Sequence, residues 1–339
     1  MSGEEKEMKR VAINGFGRIG KLVFRAGIDN PNIDFVAIND LTDTRTLAHL
    51  LKYDSVHGMF NGEVGYDDKH LIVNGNKIAV YSMKDPELLP WQELEIDVAV
   101  ESTGRFRDRE EASKHLKAGA KKVLISAIGK DVDIVIVKGV NDDHYDKDKH
   151  HVISNASCTT NCLAPVVKVL NDNFGLDVGF MVTVHAYTAD QRFVDGPHKD
   201  LRRARSGALS TIPTSTGAAK AVAEVIPELK GKIDGIAMRV PVADGSIADF
   251  VCELEKKPSI EEINQAFKTV SQNELKGIIE YSEAPLVSAD IVGNPHSSIF
   301  DSQLTRTLPL LKREMVEVVA WYDNEWGYSS RMVDVMQIL

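Results

Sequence analysis

Lys9-Arg10-Val11-Ala12-Ile13-Asn14-Gly15-Phe16-Gly17-Arg18-Ile19-Gly20 joins an apolar run suited to a buried strand to a glycine turn, and the helical period Leu22, Val23, Arg25, Ala26 follows directly. A GxGxxG spacing is weak by itself, but here its context is present. A strand precedes it, a helix follows, and Asp40 stands about 20 positions past the last glycine, at the end of the next apolar run Phe35-Val36-Ala37-Ile38. Gly15 allows the tight turn, Gly17 lets the backbone approach a pyrophosphate, and Gly20 permits close helix packing, while the helix N-terminus stabilises the negative charge. A carboxylate at position 40 accepts hydrogen bonds from ribose hydroxyls and repels a 2′-phosphate, so the expected dinucleotide is NAD rather than NADP.

Outward from this unit, Asn30-Pro31-Asn32 breaks the first helix, further strands fit 98–101 and 122–126, and a helical stretch fits 109–118. Strands alternating with helices predict an α/β fold with a Rossmann-type doubly wound parallel sheet. Beyond Cys158 the pattern changes to longer, partly alternating strands at 179–185, 235–240, 247–255 and 315–322. These predict an α+β catalytic domain with a mostly antiparallel sheet. The expected division is residues 1–157 and 158–324, with a closing helix at about 325–339 able to pack back onto the first domain. The acidic opening 1–7 reads as a disordered tail.

The chain's 339 residues suit two domains, and 43% hydrophobic composition supplies a core for each. A formal charge of −10 argues against nucleic acid or an anionic membrane as partner. Neither a bilayer-spanning apolar run nor a signal-peptide core is found, and the three cysteines form no secreted disulfide framework. A cytoplasmic protein is expected. Since no Cys/His set stands at zinc spacing, no metal is expected.

Three segments carry candidate chemistry. In Ser154-Asn155-Ala156-Ser157-Cys158-Thr159-Thr160-Asn161-Cys162 a thiol stands where an extended stretch turns into the amphipathic run 163–170. There the helix N-terminus favours a thiolate, although a free cysteine is as readily a small buried hydrophobe. His185 ends the apolar strand 180–184, and imidazole suits proton transfer near neutral pH, but ten histidines are present and spacing does not say which one meets Cys158. Lys199-Asp200-Leu201-Arg202-Arg203-Ala204-Arg205, followed by Thr214-Ser215-Thr216-Gly217, combines guanidinium forks with a hydroxyl-rich turn that would suit a phosphorylated substrate, although an Arg-rich loop by itself is more often a solvated or subunit-contact surface.

Taken together, 13–20, 154–162, His185-Ala186-Tyr187-Thr188, Thr216-Gly217-Ala218-Ala219-Lys220-Ala221-Val222 and Tyr322-Asp323-Asn324-Glu325-Trp326-Gly327-Tyr328 closely resemble the phosphorylating glyceraldehyde-3-phosphate dehydrogenase family, nearly end to end. The resemblance implies Cys158 as nucleophile and His185 as its base. It puts Arg18 and Ile19 at the pyrophosphate, Asp40 at the ribose, Lys84 and Ser126 in the rest of the NAD pocket, and Asn324 at the nicotinamide amide. Ser157, Thr159, Thr188, Arg203, Thr216, Gly217 and Arg239 would hold the substrate phosphate and inorganic phosphate. The implied reaction converts D-glyceraldehyde 3-phosphate to 1,3-bisphosphoglycerate through a cysteine thiohemiacetal and a thioester, in a cytoplasmic homotetramer of glycolysis or gluconeogenesis. Gly196-Pro197 resembles the NAD-using branch. Ile128-Gly129 and Ala243-Asp244-Gly245 depart from the family's usual loops, the first where a proline is common, the second in place of a Pro-Asn-Val-like run. The rival readings are an erythrose-4-phosphate dehydrogenase, which hydrolyses its thioester, and a non-catalytic dinucleotide-binding redox sensor.

Overall fold

The computed structural model describes residues 8–309 and 314–339, so the acidic opening expected as a disordered tail lies outside the described residues. Two compact units divide the chain. One comprises residues up to 136, 144–156 and 329–339, and the other 137–143 and 157–328. Relative to the expected division into 1–157 and 158–324, the second unit also takes in Ser157, the short excursion 137–143 and residues 325–328.

The first unit contains β1 (Lys9–Asn14), α1 (Arg18–Gly27), β2 (Ile33–Asn39), α2 (Thr44–Lys52), β3 (Tyr53–Asp54), β4 (Gly58–Met59), β5 (Val64–Tyr66), β6 (His70–Val73), β7 (Asn76–Tyr81), β8 (Val98–Glu101), α3 (Arg109–Ala112), α4 (Lys114–Lys117), β9 (Lys122–Ile125), β10 (Ile134–Val135) and β11 (Val152–Ser154). Nine of these strands form one sheet in the order β10-β11-β9-β8-β1-β2-β7-β6-β5. It is parallel from β10 to β7, with β6 and β5 added as an antiparallel edge. Every residue of β8 and β9 is buried, as interior parallel strands covered on both faces require. The winding reverses between β1 and β8, so the crevice beyond their C-terminal ends is the switch point where doubly wound sheets bind ligands. The helix expected over 109–118 is broken at Ser113, whose Oγ donates to the Arg109 carbonyl at 2.6 Å and ends α3 there.

The second unit contains α5 (Cys158–Phe174), β12 (Leu176–Ala186), β13 (Ile212–Ser215), α6 (Ala218–Val225), β14 (Ile233–Val240), β15 (Ser246–Leu254), α7 (Ile260–Gln272), β16 (Ile279–Ser282), α8 (Ser288–Ile291), β17 (Ser298–Asp301), β18 (Arg306–Pro309) and β19 (Glu314–Tyr322). Its sheet runs β13-β14-β12-β15-β19-β17-β16, with β18 also on β19. It is antiparallel except at β12/β14 and β16/β17. Burial along β15 alternates strictly, so one sheet face is packed and the other half-open. α5 differs from the amphipathic helix expected. Residues 159–167 are all buried, because the helix lies against β12, β15, β17 and β19 on one side and α6 and α7 on others.

The closing helix α9 (Trp326–Met336) begins in the second unit and continues into the first. In the first unit Gly27 leaves room for the Phe35 ring and for Val333, since a Cβ at Gly27 would stand 3.0 Å from that ring and 3.3 Å from Val333.

Candidate active site

The chain enters α5 through Ala156, a non-glycine residue in the left-handed region at φ 53°. Ser157 then caps the helix, its Oγ accepting the Thr160 N–H at 3.0 Å. Cys158 is therefore the first residue of a 17-residue helix and remains partly exposed, whereas Cys162 and Cys252 are buried and burial pushes each of their thiols up to about 12. Only Cys158 has the access a nucleophile needs.

Facing it, His185 sits near the end of β12 with Nε2 3.4 Å from the Cys158 Sγ. The ring is buried and fixed from several sides. Nδ1 lies 2.7 Å from the Ala186 carbonyl and 2.6 Å from Nη1 of Arg239, the residue paired with His185 across β12/β14. Tyr322 stacks edge-on against the ring at 5.8 Å, and its hydroxyl bonds Thr159 Oγ1 at 2.9 Å and Thr183 Oγ1 at 2.8 Å. Behind Ala186, Ser246 Oγ accepts that residue's N–H at 3.1 Å and donates to Asn324 Oδ1 at 2.6 Å.

Burial pushes the Cys158 thiol above its ordinary value, and the Arg239 charge and Thr159 hydrogen bonds oppose this without cancelling it. Burial and the Arg239 guanidinium push His185 down to about 3, so its imidazole is neutral at neutral pH. The helix N-terminus was expected to favour the thiolate, with His185 as its base. Desolvation is the larger effect, and the thiolate depends on the proton acceptor that the neighbouring imidazole supplies.

In the first unit, the glycine turn bounds a cavity of ≈ 570 Å³ at the switch point, lined by Gly15, Gly17, Asp40 and Lys84 together with Asn14, Asn39, Leu41, Met83, Ser102, Thr103, Arg105 and Phe106. Gly15 has φ 92° and its Cβ would lie 2.7 Å from Thr103 N, while a Cβ on Gly20 would lie 2.1 Å from the Gly15 carbonyl oxygen. Beside Gly17, by contrast, there is open space at the helix N-terminus, the cradle a pyrophosphate needs. Asp40 is fixed by the Phe16 N–H at 2.8 Å and the Thr42 N–H at 2.9 Å, which leaves further lone pairs for ribose hydroxyls. These features fit a dinucleotide. Arg18 directs its guanidinium to Asp54 at 2.5 Å, and Ile19, Gly20 and Ser126 stand outside the cavity lining. What Arg18 and Ile19 offer a pyrophosphate is the backbone of the first helical turn.

The residues expected at the phosphates are less uniform. Thr159 is buried with its hydroxyl on Tyr322, and Ser157 uses its hydroxyl as a cap. Thr188 donates its N–H to Gln191 Oε1 at 3.1 Å. Thr216 Oγ1 accepts the Ala218 N–H at 3.1 Å beside Gly217, the N-cap of α6. Arg203 holds Thr214 Oγ1 at 2.8 Å and is ion-paired with Asp190 and Asp200. An arriving phosphate would therefore compete with two carboxylates for this guanidinium.

Sequence reasoning missed Tyr322, Thr183 and Ser246. Thr183 was accessible, since it lies two residues before His185 on the same face of β12.

Two family models match this chain: the NAD-binding domain of glyceraldehyde 3-phosphate dehydrogenase over residues 9–109, and the C-terminal domain of the same enzyme over residues 157–324. Among curated relatives, glyceraldehyde-3-phosphate dehydrogenase of Geobacillus stearothermophilus is 60% identical over 326 residues, covering 96% of each chain. The enzyme of the same name from Priestia megaterium is 56% identical, covering 97% of this chain and 98% of its own. Glyceraldehyde-3-phosphate dehydrogenase 2 of Trichormus variabilis is 56% identical, covering 98% of each.

Proposed function

We propose how this chain, which belongs to the glyceraldehyde-3-phosphate dehydrogenase family, performs the family's reaction with its own side chains. It is an NAD-dependent oxidoreductase of glycolysis, acting on glyceraldehyde 3-phosphate and inorganic phosphate. The observation that carries the reading is the 3.4 Å approach of His185 Nε2 to the Cys158 sulfur. In the tautomer that donates Nδ1–H to the Ala186 carbonyl, with the Arg239 guanidinium directing its own N–H to that same oxygen at 3.1 Å, Nε2 presents a lone pair to the thiol and takes its proton as the sulfur adds to the aldehyde carbon. The carbonyl π electrons move onto oxygen, and the imidazolium returns the proton there, giving a thiohemiacetal. Bound NAD supplies the hydride acceptor, and Gly15, Gly17, Asp40 and Lys84, with the Arg18 and Ile19 backbone, would hold it. His185 accepts the hydroxyl proton as the thiohemiacetal is oxidised to the thioester. Inorganic phosphate then attacks the acyl carbon, the C–S bond breaks, and Cys158 is regenerated.

We assign the remaining binding roles in the same spirit. Arg239 and Arg203 supply cationic charge for the phosphates, with Ser157, Thr159, Thr188, Thr216 and Gly217 around them. Ser126 supports the cofactor pocket and Asn324 receives the nicotinamide amide. A homotetramer is supported by apolar side chains that water would otherwise cover: Phe193, Leu201 and Leu209 are 82%, 80% and 84% exposed, and Val178 and Phe180 stand open on the sheet. Among the described residues no helix is long and apolar enough to cross a membrane. A reaction that needs a free thiol favours a reducing compartment, hence the cytoplasm.

The test is a steady-state assay of NAD reduction with triose phosphate, repeated with NADP, without phosphate, and with erythrose 4-phosphate. Strong dependence on phosphate with the triose and NAD is expected. Equal turnover without phosphate, or a preference for the tetrose, would overturn the reading.

A further inference from the structure

Beneath the cavity at the switch point lies a chain of buried polar side chains, and each hydrogen bond in it has a fixed direction. The Met83 N–H donates to Asn39 Oδ1 at 2.8 Å, which makes the other Asn39 atom the amide nitrogen. That nitrogen donates to the Met83 carbonyl at 2.9 Å and to Asn14 Oδ1 at 2.7 Å. Asn14 is thereby oriented with its NH₂ towards Glu101 Oε2, at 2.6 Å. On the opposite side, Trp91 Nε1–H, which can only donate, bonds His115 Nδ1 at 2.9 Å. This sets the His115 tautomer, so its Nε2–H is the donor to Glu101 Oε2 at 3.1 Å. The second carboxylate oxygen, Oε1, accepts the N–H and the hydroxyl of Thr103, at 2.8 and 2.5 Å.

Each donor path ends on one carboxylate. Strand register explains why: Asn14 is paired with Asn39 across β1/β2 and with Glu101 across β1/β8, so three C-terminal strand ends meet there. Glu101, Asn14, Asn39 and His115 are all buried. Asn14, Asn39, Met83 and Thr103 also line the cavity, whereas Glu101, His115 and Trp91 do not. The Thr103 backbone is also the wall that a Cβ on Gly15 would strike. One buried acceptor therefore fixes both sides of the glycine turn's cleft.

We propose that Glu101 is the positioning residue of the dinucleotide cleft: by accepting from Asn14, His115 and Thr103 it holds the cleft walls at the spacing NAD requires. This rests on the reading that NAD occupies this cleft. Glu101→Gln tests it, because an amide offers a donor where two of the four donors already point, and the walls must shift.

Calorimetric titration of the purified protein with NAD should give a Kd at least ten-fold higher for Glu101→Gln. The KM for NAD should rise in step, while kcat at saturating NAD changes less than two-fold. His115 lies away from the cavity and provides a second pair of variants should Glu101→Gln not fold. His115→Leu removes a donor and should weaken NAD binding three- to ten-fold, and His115→Gln, which keeps a donor near the Nε2 position, should stay within two-fold of wild type. A lowered melting temperature with unchanged NAD affinity in Glu101→Gln, or equal affinities for the two His115 variants, would overturn the proposal. Asp40→Asn separates the two layers. If it weakens binding while Glu101→Gln does not, only the role of Glu101 fails. If neither does, the cleft assignment itself falls.

Discussion

Arg239 has two effects on the reacting pair: its charge draws the Cys158 thiol down and pushes the His185 imidazole down. Arg239→Gln removes both, so the thiol should ionise at higher pH and the imidazole should protonate more readily. The pH profile of Cys158 alkylation by iodoacetamide reports this. At neutral pH the variant should react about three- to ten-fold more slowly, with its profile displaced upward. Asp244 offers a second test at this scale. Burial and the neighbouring Asp323 raise its carboxyl to about 9, so the folded protein holds a proton that the unfolded chain gives up near the usual carboxylate value. The folded pKa is the raised one, so stability is lost as pH climbs from about 4 to about 9, and the cost is complete above that. Asp244→Asn removes the cost. It should raise the melting temperature little at pH 5 and most at pH 9, where the gain is on the order of 1–3 kcal/mol. This position falls in the Ala243-Asp244-Gly245 loop. Neither Asp244 nor the partners of Arg203 could be read from spacing, because the groups that set their behaviour come together only by folding.

The elements differ in how plainly the sequence declared them. The β1-turn-α1 unit was legible because its constraints are local. Gly15 and Gly20 meet atoms at the adjacent strand end or within the turn itself, Gly17 faces open space, and the apolar periods on either side are unbroken. A Cβ at Gly20 would collide with the Gly15 carbonyl, whereas one at Gly17 meets nothing. Gly20→Ala should therefore destabilise the protein by about 2 kcal/mol or more, while Gly17→Ala should stay within roughly 0.5 kcal/mol of wild type yet bind NAD more weakly. Thermal unfolding and NAD titration of the two variants check this contrast. α5 was legible in position but not in character. Its start is announced by Ser157 and Cys158, but its near-total burial is imposed by the sheet beneath it. The Trp91–His115–Glu101 chain was invisible, since its members come from a loop, α4 and the end of β8, and no periodicity links them. The short strands between 53 and 81 escaped for a related reason: they run from two to six residues, are mostly half-exposed, and only β6 alternates in burial.

At the scale of the whole molecule, the chain gives each of its two units one task. The first has the switch-point cleft with a fixed carboxylate at its rim, and the second has the thiol and imidazole at one end of its sheet. The expected division rested on the alternation of strands and helices and on its change beyond Cys158. The open sheet face and the exposed apolar side chains of 189–211 were not readable, because exposure is a property of the folded surface. If the proposed tetramer covers them, light scattering should give a mass near four times 37.4 kDa. A double substitution, Phe180→Lys with Leu209→Lys, should shift the protein towards smaller species.

The central claim, that the sulfur of Cys158 carries the acyl group with His185 as its proton partner, is tested most directly by quenching the enzyme after mixing with NAD and glyceraldehyde 3-phosphate in the absence of phosphate, then locating the adduct by mass spectrometry. The account predicts one acyl group per chain on the peptide containing Cys158, slower acylation in His185→Asn, no adduct in Cys158→Ser, and discharge when phosphate is added. An adduct on another residue, or undiminished NAD reduction by Cys158→Ser, would contradict it.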